Sequence, residues 1–217
     1  MTKAEGRMPR TPKSGIDVSS NNPCPFLRAL VAQGLLPDDK APIGEVAKTI
    51  VAIAARGDGS PKLPAAAVRV IALMANGLNP LRLARNGLAG LQLNELRGGP
   101  LDKRGAGSGI LDREARISRA ELDRLDEFAG DKLDCDGRAE RGLSLSDLNR
   151  MMDANFERAA GRRRRIDRRL MNGEWPMLLR VMGKQGKAER YLSVADVREL
   201  FVERRLPERM VKPPGDD

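Results

Sequence analysis

The sequence predicts an all-α fold, a single-domain bundle of many helices. Three observations lead to this prediction. Apolar residues recur at helical spacing along most of the chain, and a serine followed three residues later by an acid, a typical helix start, occurs three times. Aromatic residues make up only 3% of the chain and runs of β-branched residues are few, which disfavours a sheet protein.

One domain accounts for most of the chain. With 217 residues, 41% of them hydrophobic, the protein is long enough to bury one core. Residues 1–21 are rich in Gly, Pro, Ser, Lys and Asn and predict a flexible tail, as do residues 212–217, so the domain spans 22–211. Within it, 98–109 contains five glycines and predicts a long loop, a type of loop that is more often functional than idle.

Apolar periodicity predicts the helices of the first half. The first begins at Phe26 and ends or bends at Gly34. The next two cover Pro42–Ala55 and Pro64–Ala75, each bounded by a turn signal. Residues 78–96 predict one or two further short helices.

Capping patterns predict the later helices. Each pattern is a serine with an acid three residues on and an apolar residue before it, which is a capping box with a hydrophobic staple. The pairs are Ser118 with Glu121, Ser144 with Asp147, and Ser193 with Asp196. The helices they open are Arg119–Ala129, Leu145–Ala160 and Val194–Arg204.

The chain contains no histidine, which excludes several chemistries at once. It cannot hold a Ser-His-Asp or Cys-His pair, a His-ligated zinc or a His-ligated haem. Cysteine is therefore the one strong soft ligand for a transition metal, and Asp, Glu or Lys must carry any acid–base step.

Residues 1–22 have no apolar signal-peptide region, and no stretch approaches the roughly 20 apolar residues of a membrane span. The two cysteines, Cys24 and Cys135, make no disulfide framework, and Cys135 is interpreted as an incidental thiol. The sequence therefore predicts a cytoplasmic protein without a transmembrane segment.

Cys24 is the most informative residue of the chain. It stands between Pro23 and Pro25, directly before the apolar stretch 26–36. Free backbone N–H groups and the positive end of a helix stabilise a thiolate at such a position. The thiolate would serve as a nucleophile or as a metal ligand; a small apolar residue at a helix start is the alternative.

The chain is basic, with a net charge of +9, and its densest basic run is 161–169. An anionic partner such as nucleic acid or an acidic membrane is one interpretation of the run from Arg162 to Arg169. A solvated helix face is the simpler one, because no aromatic residues are interleaved for base stacking.

Calcium binding is not favoured. Asp134-Cys135-Asp136-Gly137 resembles part of an EF-hand loop, but Lys132 and Leu143 occupy the positions of the first ligand and of the bidentate Glu. The segment 183–189 lacks carboxylates in the required number.

Residues 22–40 carry a family resemblance. The Pro23-Cys24-Pro25 step, the apolar helix, Gly34 and Pro37-Asp38 resemble the proximal segment of the haem-thiolate peroxidases, the chloroperoxidase and unspecific peroxygenase family. The chain is similar to a divergent, bacterial-type member. The resemblance implies a largely helical fold that binds haem b, with Cys24 as axial iron ligand flanked by its prolines.

A second match covers Asp112 to Arg119, where the family has an acidic step followed by Ser/Thr-Arg. In the family, the first acid, a carbonyl and a serine hold a cation, Mg or Mn, against a haem propionate. The resemblance assigns Asp112 to that cation site. Arg116 stands in the serine position, where it cannot ligate a cation but would pair with the propionate directly.

A third, looser match is 197–207, which is similar to the closing helix and proline of the family. The family also has a distal acid opposite the cysteine, and here no motif locates it. Asp167, Glu157 and Glu174 are the three candidates.

The resemblance implies a peroxidase or peroxygenase that uses hydrogen peroxide to oxidise, or transfer oxygen to, a halide or small organic substrate. The alternative is a catalytically degenerate helical protein that binds haem without turnover, or a basic interaction protein for nucleic acid or anionic lipid. The altered step at Asp112 and Arg116 and the scarcity of aromatic residues favour the alternative.

Overall fold

The computed structural model of the protein describes residues 17–58, 63–76, 90–97 and 107–211. Several predicted segments lie wholly or mostly outside the described residues: the tails, most of the helical segment 78–96 and most of the glycine-rich loop.

The prediction of an all-α fold is wrong, because the protein combines helices with two antiparallel sheets. The described helices are α1 (Pro25–Ala32), α2 (Ile43–Ala54), α3 (Ala65–Asn76), α4 (Arg119–Asp123), α5 (Leu125–Phe128), α6 (Leu145–Arg158), α7 (Asp167–Met171), α8 (Trp175–Met182), α9 (Val194–Arg198) and α10 (Glu208–Val211). The strands are β1 (Lys40–Ala41), β2 (Leu91–Gln92), β3 (Gly130–Leu133), β4 (Ala139–Ser144), β5 (Lys184–Gln185) and β6 (Arg190–Ser193).

The larger sheet has the order β3-β4-β6-β5. It consists of two hairpins, each followed directly by a helix, α6 after β4 and α9 after β6. The two hairpins meet at the β4–β6 pair, where Leu143 lies opposite Leu192 and both are fully buried. The smaller sheet pairs β1 with β2 and joins the residues after α1 to the segment 90–97.

The sequence does not indicate the two hairpins, because their strands are short and consist mostly of polar residues. The longest described strand has six residues, which is too short for an alternation of apolar and polar residues to be recognised. The Asp136-Gly137 step is a strong hairpin signal, and Gly137 adopts φ +84° in the turn between β3 and β4. In the sequence, the same step also resembles part of a calcium loop.

Close packing across the larger sheet makes Gly142 indispensable. A Cβ at this position would lie 2.4 Å from Cδ2 of Tyr191 and 2.9 Å from Cγ of Lys132. Gly142→Ala is therefore expected to lower the free energy of unfolding by about 1–3 kcal/mol, measured by urea denaturation. Gly44→Ala is the matched control: Gly44 lies in α2 with nothing within 4 Å, and alanine there is expected to stabilise by up to about 1 kcal/mol. Equal stability of the two variants would contradict this account of the packing.

The three predicted caps have three different outcomes. Ser144 and Asp147 form the full capping box at the start of α6. Ser118 accepts the N–H of Glu121 at 3.4 Å, but the Glu121 carboxylate is bound by Arg158. The prediction fails at α9, where the Ser193 hydroxyl donates to Glu140 at 2.6 Å.

Asp147, the acid of the capping box at Ser144, makes the stability of the fold depend on pH in the acid range. Partial burial raises the pKa of Asp147, but hydrogen bonds from Arg150, Ser144 and Lys132 outweigh it and hold that pKa well below its ordinary range. A carboxyl with a depressed folded pKa contributes stability above its unfolded pKa of about 4, and this stability is lost as the pH falls further. We expect Asp147→Asn to flatten the loss of stability below about pH 4 in denaturation curves. A loss of stability below about pH 4 that is as steep in Asp147→Asn as in the wild type would contradict this account.

Candidate functional site

A cavity of about 330 Å³ lies beside the main core. Residues of α1, α2, α3 and α8 line it, together with parts of 91–97 and 107–111. Most of the lining is aliphatic or aromatic, and the volume lies near the lower end of the range for small-molecule sites, about 300–1,000 Å³.

Cys24 lies in the wall of this cavity with Pro23 and Pro25. It is the N-cap residue of α1, and Pro25 occupies the first helical turn, where its missing N–H costs nothing. The N–H of Cys24 donates to Oδ1 of Asn22 at 3.1 Å, and its carbonyl accepts the N–H of Arg28 at 3.0 Å. The positive end of α1 therefore lies at the sulfur-bearing residue and favours a negative charge there.

Buried hydrogen bonds of Arg28 and Asn22 hold the Pro-Cys-Pro segment in place. Both are buried, at 3% and 0% exposure. Nη1 of Arg28 donates to the carbonyls of Ser19 at 2.7 Å and Asn22 at 3.2 Å. Burial lowers the pKa of the Arg28 guanidinium, but an arginine stays charged in proteins. A buried cation therefore holds the turn that presents Cys24.

Glu174 lies at the same cavity, directly before α8. It is the N-cap residue of that helix, and its carbonyl accepts the N–H of Leu178 at 2.8 Å. Its neighbours Gly173 and Trp175 also line the cavity, and Glu174 itself is exposed to solvent. Two helix N-termini thus place a thiol and a carboxyl on one cavity.

The other two candidate acids lie elsewhere and are absent from the described lining. Asp167 is fully buried and accepts hydrogen bonds from the N–H of Arg164 at 2.8 Å and from its Nε at 2.9 Å. It closes the turn before α7. Glu157 is exposed near the end of α6 and pairs with Arg163.

Asp112 and Arg116 are exposed and also lie outside the described cavity lining. Oδ1 of Asp112 accepts the N–H of Arg116 at 2.7 Å, which closes a turn that includes Ala115 at φ +58°. Over 17–58, 63–76, 90–97 and 107–211, no three Cys, Asp or Glu side chains cluster as a metal site. The geometry of these residues gives the predicted cation site no support.

Arg97 is the arginine of the described cavity lining, and the sequence analysis did not single it out. Its Nη2 donates to the carbonyl of Asp112, and its N–H donates to that of Asn21 at 2.9 Å. Arg97 therefore joins the turn after Asp112 to the segment before Cys24. No local motif marks it, because its position depends on the pairing of β1 with β2.

Three aromatic residues line the cavity although the chain has few: Phe26, Trp175 and Phe201. The rings of Trp175 and Phe201 stack at 6.3 Å between centroids. Phe201 belongs to a π-helical turn, Glu199–Glu203, and such turns are frequent at functional sites. Although aromatic residues are scarce in the sequence, the cavity is therefore lined by several of them.

Cys135 is remote from this site. It is exposed in the turn between β3 and β4, and its Sγ lies 2.9 Å from the carbonyl oxygen of Gln185. Neither cysteine forms a disulfide within the described part of the chain.

No described helix is both long and apolar enough to cross a membrane. No family model, curated protein or solved structure matches the chain.

Proposed function

We propose that the protein is a haem-thiolate peroxidase or peroxygenase in which Cys24 ligates the iron and Glu174 moves the proton of peroxide. One observation carries the proposal: Cys24 and Glu174, far apart in sequence, lie on one largely apolar cavity. Of the three candidate acids, Glu174 is the one on that cavity, so Asp167 and Glu157 are not proposed for the role.

The residues of the cavity fit haem. Cys24 offers a soft thiolate, one of the ligand types that hold haem iron, in a chain without histidine. Apolar walls from α1, α2, α3 and α8 suit the macrocycle. Arg97 offers a guanidinium for a propionate carboxylate, an electrostatic role that the resemblance assigned to Arg116.

Thiolate-ligated haem supplies an iron centre that favours cleavage of the O–O bond. The protein must then supply a proton-transfer group. The carboxylate of Glu174 would accept a proton from hydrogen peroxide and would return it to the oxygen that leaves as water. The cavity walls would limit the access of water and would hold a small organic substrate or a halide within the site. Ligation also requires reduced Cys24, as in the cytoplasm.

Haemin titration of the purified protein tests the proposal. We expect one equivalent to bind, and the dithionite-reduced, carbon monoxide-treated sample to show the red-shifted Soret band of a thiolate-ligated haem. Peroxide-dependent oxidation of a chromogenic phenol is then expected. A protein that takes up no haemin would overturn the proposal. Haem binding without turnover would leave the degenerate haem-binding alternative.

A further inference from the structure

The arginine-rich segment 161–169 divides into two sets of three side chains. The first set has partners within the fold. Arg163 lies 4.0 Å from the ring centre of Phe156 and pairs with Glu157. Arg164 pairs with Asp167 at 2.8 Å, and Arg168 hydrogen-bonds to the Asn172 side chain at 2.7 Å. These arginines stabilise the connection between α6 and α7.

The second set consists of Arg162, Arg165 and Arg169. All three are exposed, and none of their side chains makes an ion pair or hydrogen bond with any residue of the described part of the chain. They are spaced three and four residues apart, across the turn that leads into α7. Three unneutralised charges therefore remain on one short connection, and no fold contact accounts for them.

Ile166 lies within this set and is 53% exposed. A large aliphatic side chain among free arginines gives a surface that is cationic and locally apolar. We call Arg162, Arg165, Ile166 and Arg169 the basic patch. Such a combination is typical of a surface that meets the headgroups of a bilayer, where arginines contact phosphates and apolar side chains enter the acyl boundary.

We propose that the basic patch docks the protein on the surface of an anionic phospholipid bilayer. Single-stranded nucleic acid is a poorer fit, because it needs aromatic platforms for base stacking. All six aromatic residues lie in the described part of the chain and none is exposed; Phe156, the nearest in sequence, is covered by Arg163. The exposed Ile166 further favours the bilayer over a nucleic acid duplex, whose backbone offers it no apolar environment.

The expected strength follows from the charge. Each arginine near an anionic bilayer strengthens binding about fivefold, so loss of all three is expected to weaken partitioning about 100-fold. Screening over a Debye length of about 8 Å at physiological salt makes the binding strongly salt-dependent. Neither haem nor Cys24 enters this proposal, which stands or fails separately from the peroxidase proposal.

Vesicle sedimentation of the full chain tests it, with large unilamellar vesicles of phosphatidylcholine alone or with about 30 mol% phosphatidylserine. We expect binding only to the anionic vesicles, lost at 0.5 M salt and about 100-fold weaker in the triple variant Arg162→Gln, Arg165→Gln, Arg169→Gln. Ile166→Ser is expected to weaken binding severalfold without changing its salt dependence.

The matched control is Arg69→Gln, Arg113→Gln, Arg119→Gln, which removes the same charge from exposed arginines elsewhere. It is expected to bind close to wild type, and thermal unfolding of each variant checks that the fold is intact. An equal loss in both triple variants would mean that net charge alone drives binding and would overturn the proposal. So would binding to a duplex oligonucleotide without binding to anionic vesicles, or equal binding to both kinds of vesicle.

Discussion

Cys24→Ala is expected to abolish the thiolate-type Soret band and to weaken haemin binding by at least a hundredfold. The sulfur of Cys24 is the one thiol in the described wall of the cavity, where Met177 offers a thioether instead, and no histidine exists to replace it. The backbone bonds at this position do not involve the sulfur, so the variant is expected to fold. The measurement is a haemin titration followed by the spectrum of the reduced, carbon monoxide-treated protein.

Cys135→Ala is the matched control, because it removes the other thiol from an exposed turn. It is expected to bind haemin and to show the same spectrum as wild type. If Cys24→Ala retained a thiolate-type spectrum, or if both variants lost it equally, Cys24 would not ligate the iron. Thermal unfolding of the haem-free proteins distinguishes a lost ligand from a lost fold.

Glu174→Gln is expected to lower peroxide-dependent turnover by about 10²–10⁴-fold while haem binding is retained. The amide keeps the size of the side chain but cannot accept and return a proton. Since Glu174 caps α8 through its backbone, the helix start is expected to persist. The measurement is kcat at saturating peroxide per mole of bound haem, together with the Soret spectrum.

The other candidate acids provide controls of two kinds. Glu157→Gln, at an exposed ion pair with Arg163, is expected to leave turnover unchanged. Asp167→Asn is expected to lower stability, because the buried carboxylate holds the Arg164 backbone and side chain, but to leave turnover per haem near wild type. Full activity in Glu174→Gln, or a larger loss in Glu157→Gln, would remove Glu174 from the mechanism.

Local patterns predicted the elements whose stability is local. The helices that follow Cys24, Pro42 and Pro64 begin close to the expected residues, since proline, caps and apolar period act within one or two turns. The box at Ser144 formed for the same reason. At Ser193 the pattern was equally good, but Glu140 on the neighbouring strand takes the hydroxyl, and that competition is invisible in sequence.

The larger sheet is the main feature that the sequence did not predict, because its central strand pair depends on residues far apart in the chain. Strands of two to six residues are stabilised by their partners: β4 and β6 pair through Leu143 and Leu192, about fifty positions apart. No window of sequence contains both sides of such a pair. The turn at Gly137 is a local signal for the β3–β4 hairpin, but not for the β4–β6 pair.

The sequence by itself determined that Cys24 is presented at a helix start and that the chain must do without histidine, because both depend on residue identity and immediate neighbours. Tertiary structure alone decided which acid and which arginine accompany the cysteine. Glu174 and Arg97 reach its cavity, while Asp167, Glu157 and Arg116 do not, because the packing of α8 and the pairing of β1 with β2 set the walls. The sequence gives the number of positive charges in segment 161–169. Only the tertiary structure shows which of these arginines pair with residues of the protein itself and which three, those of the basic patch, are left to contact a partner.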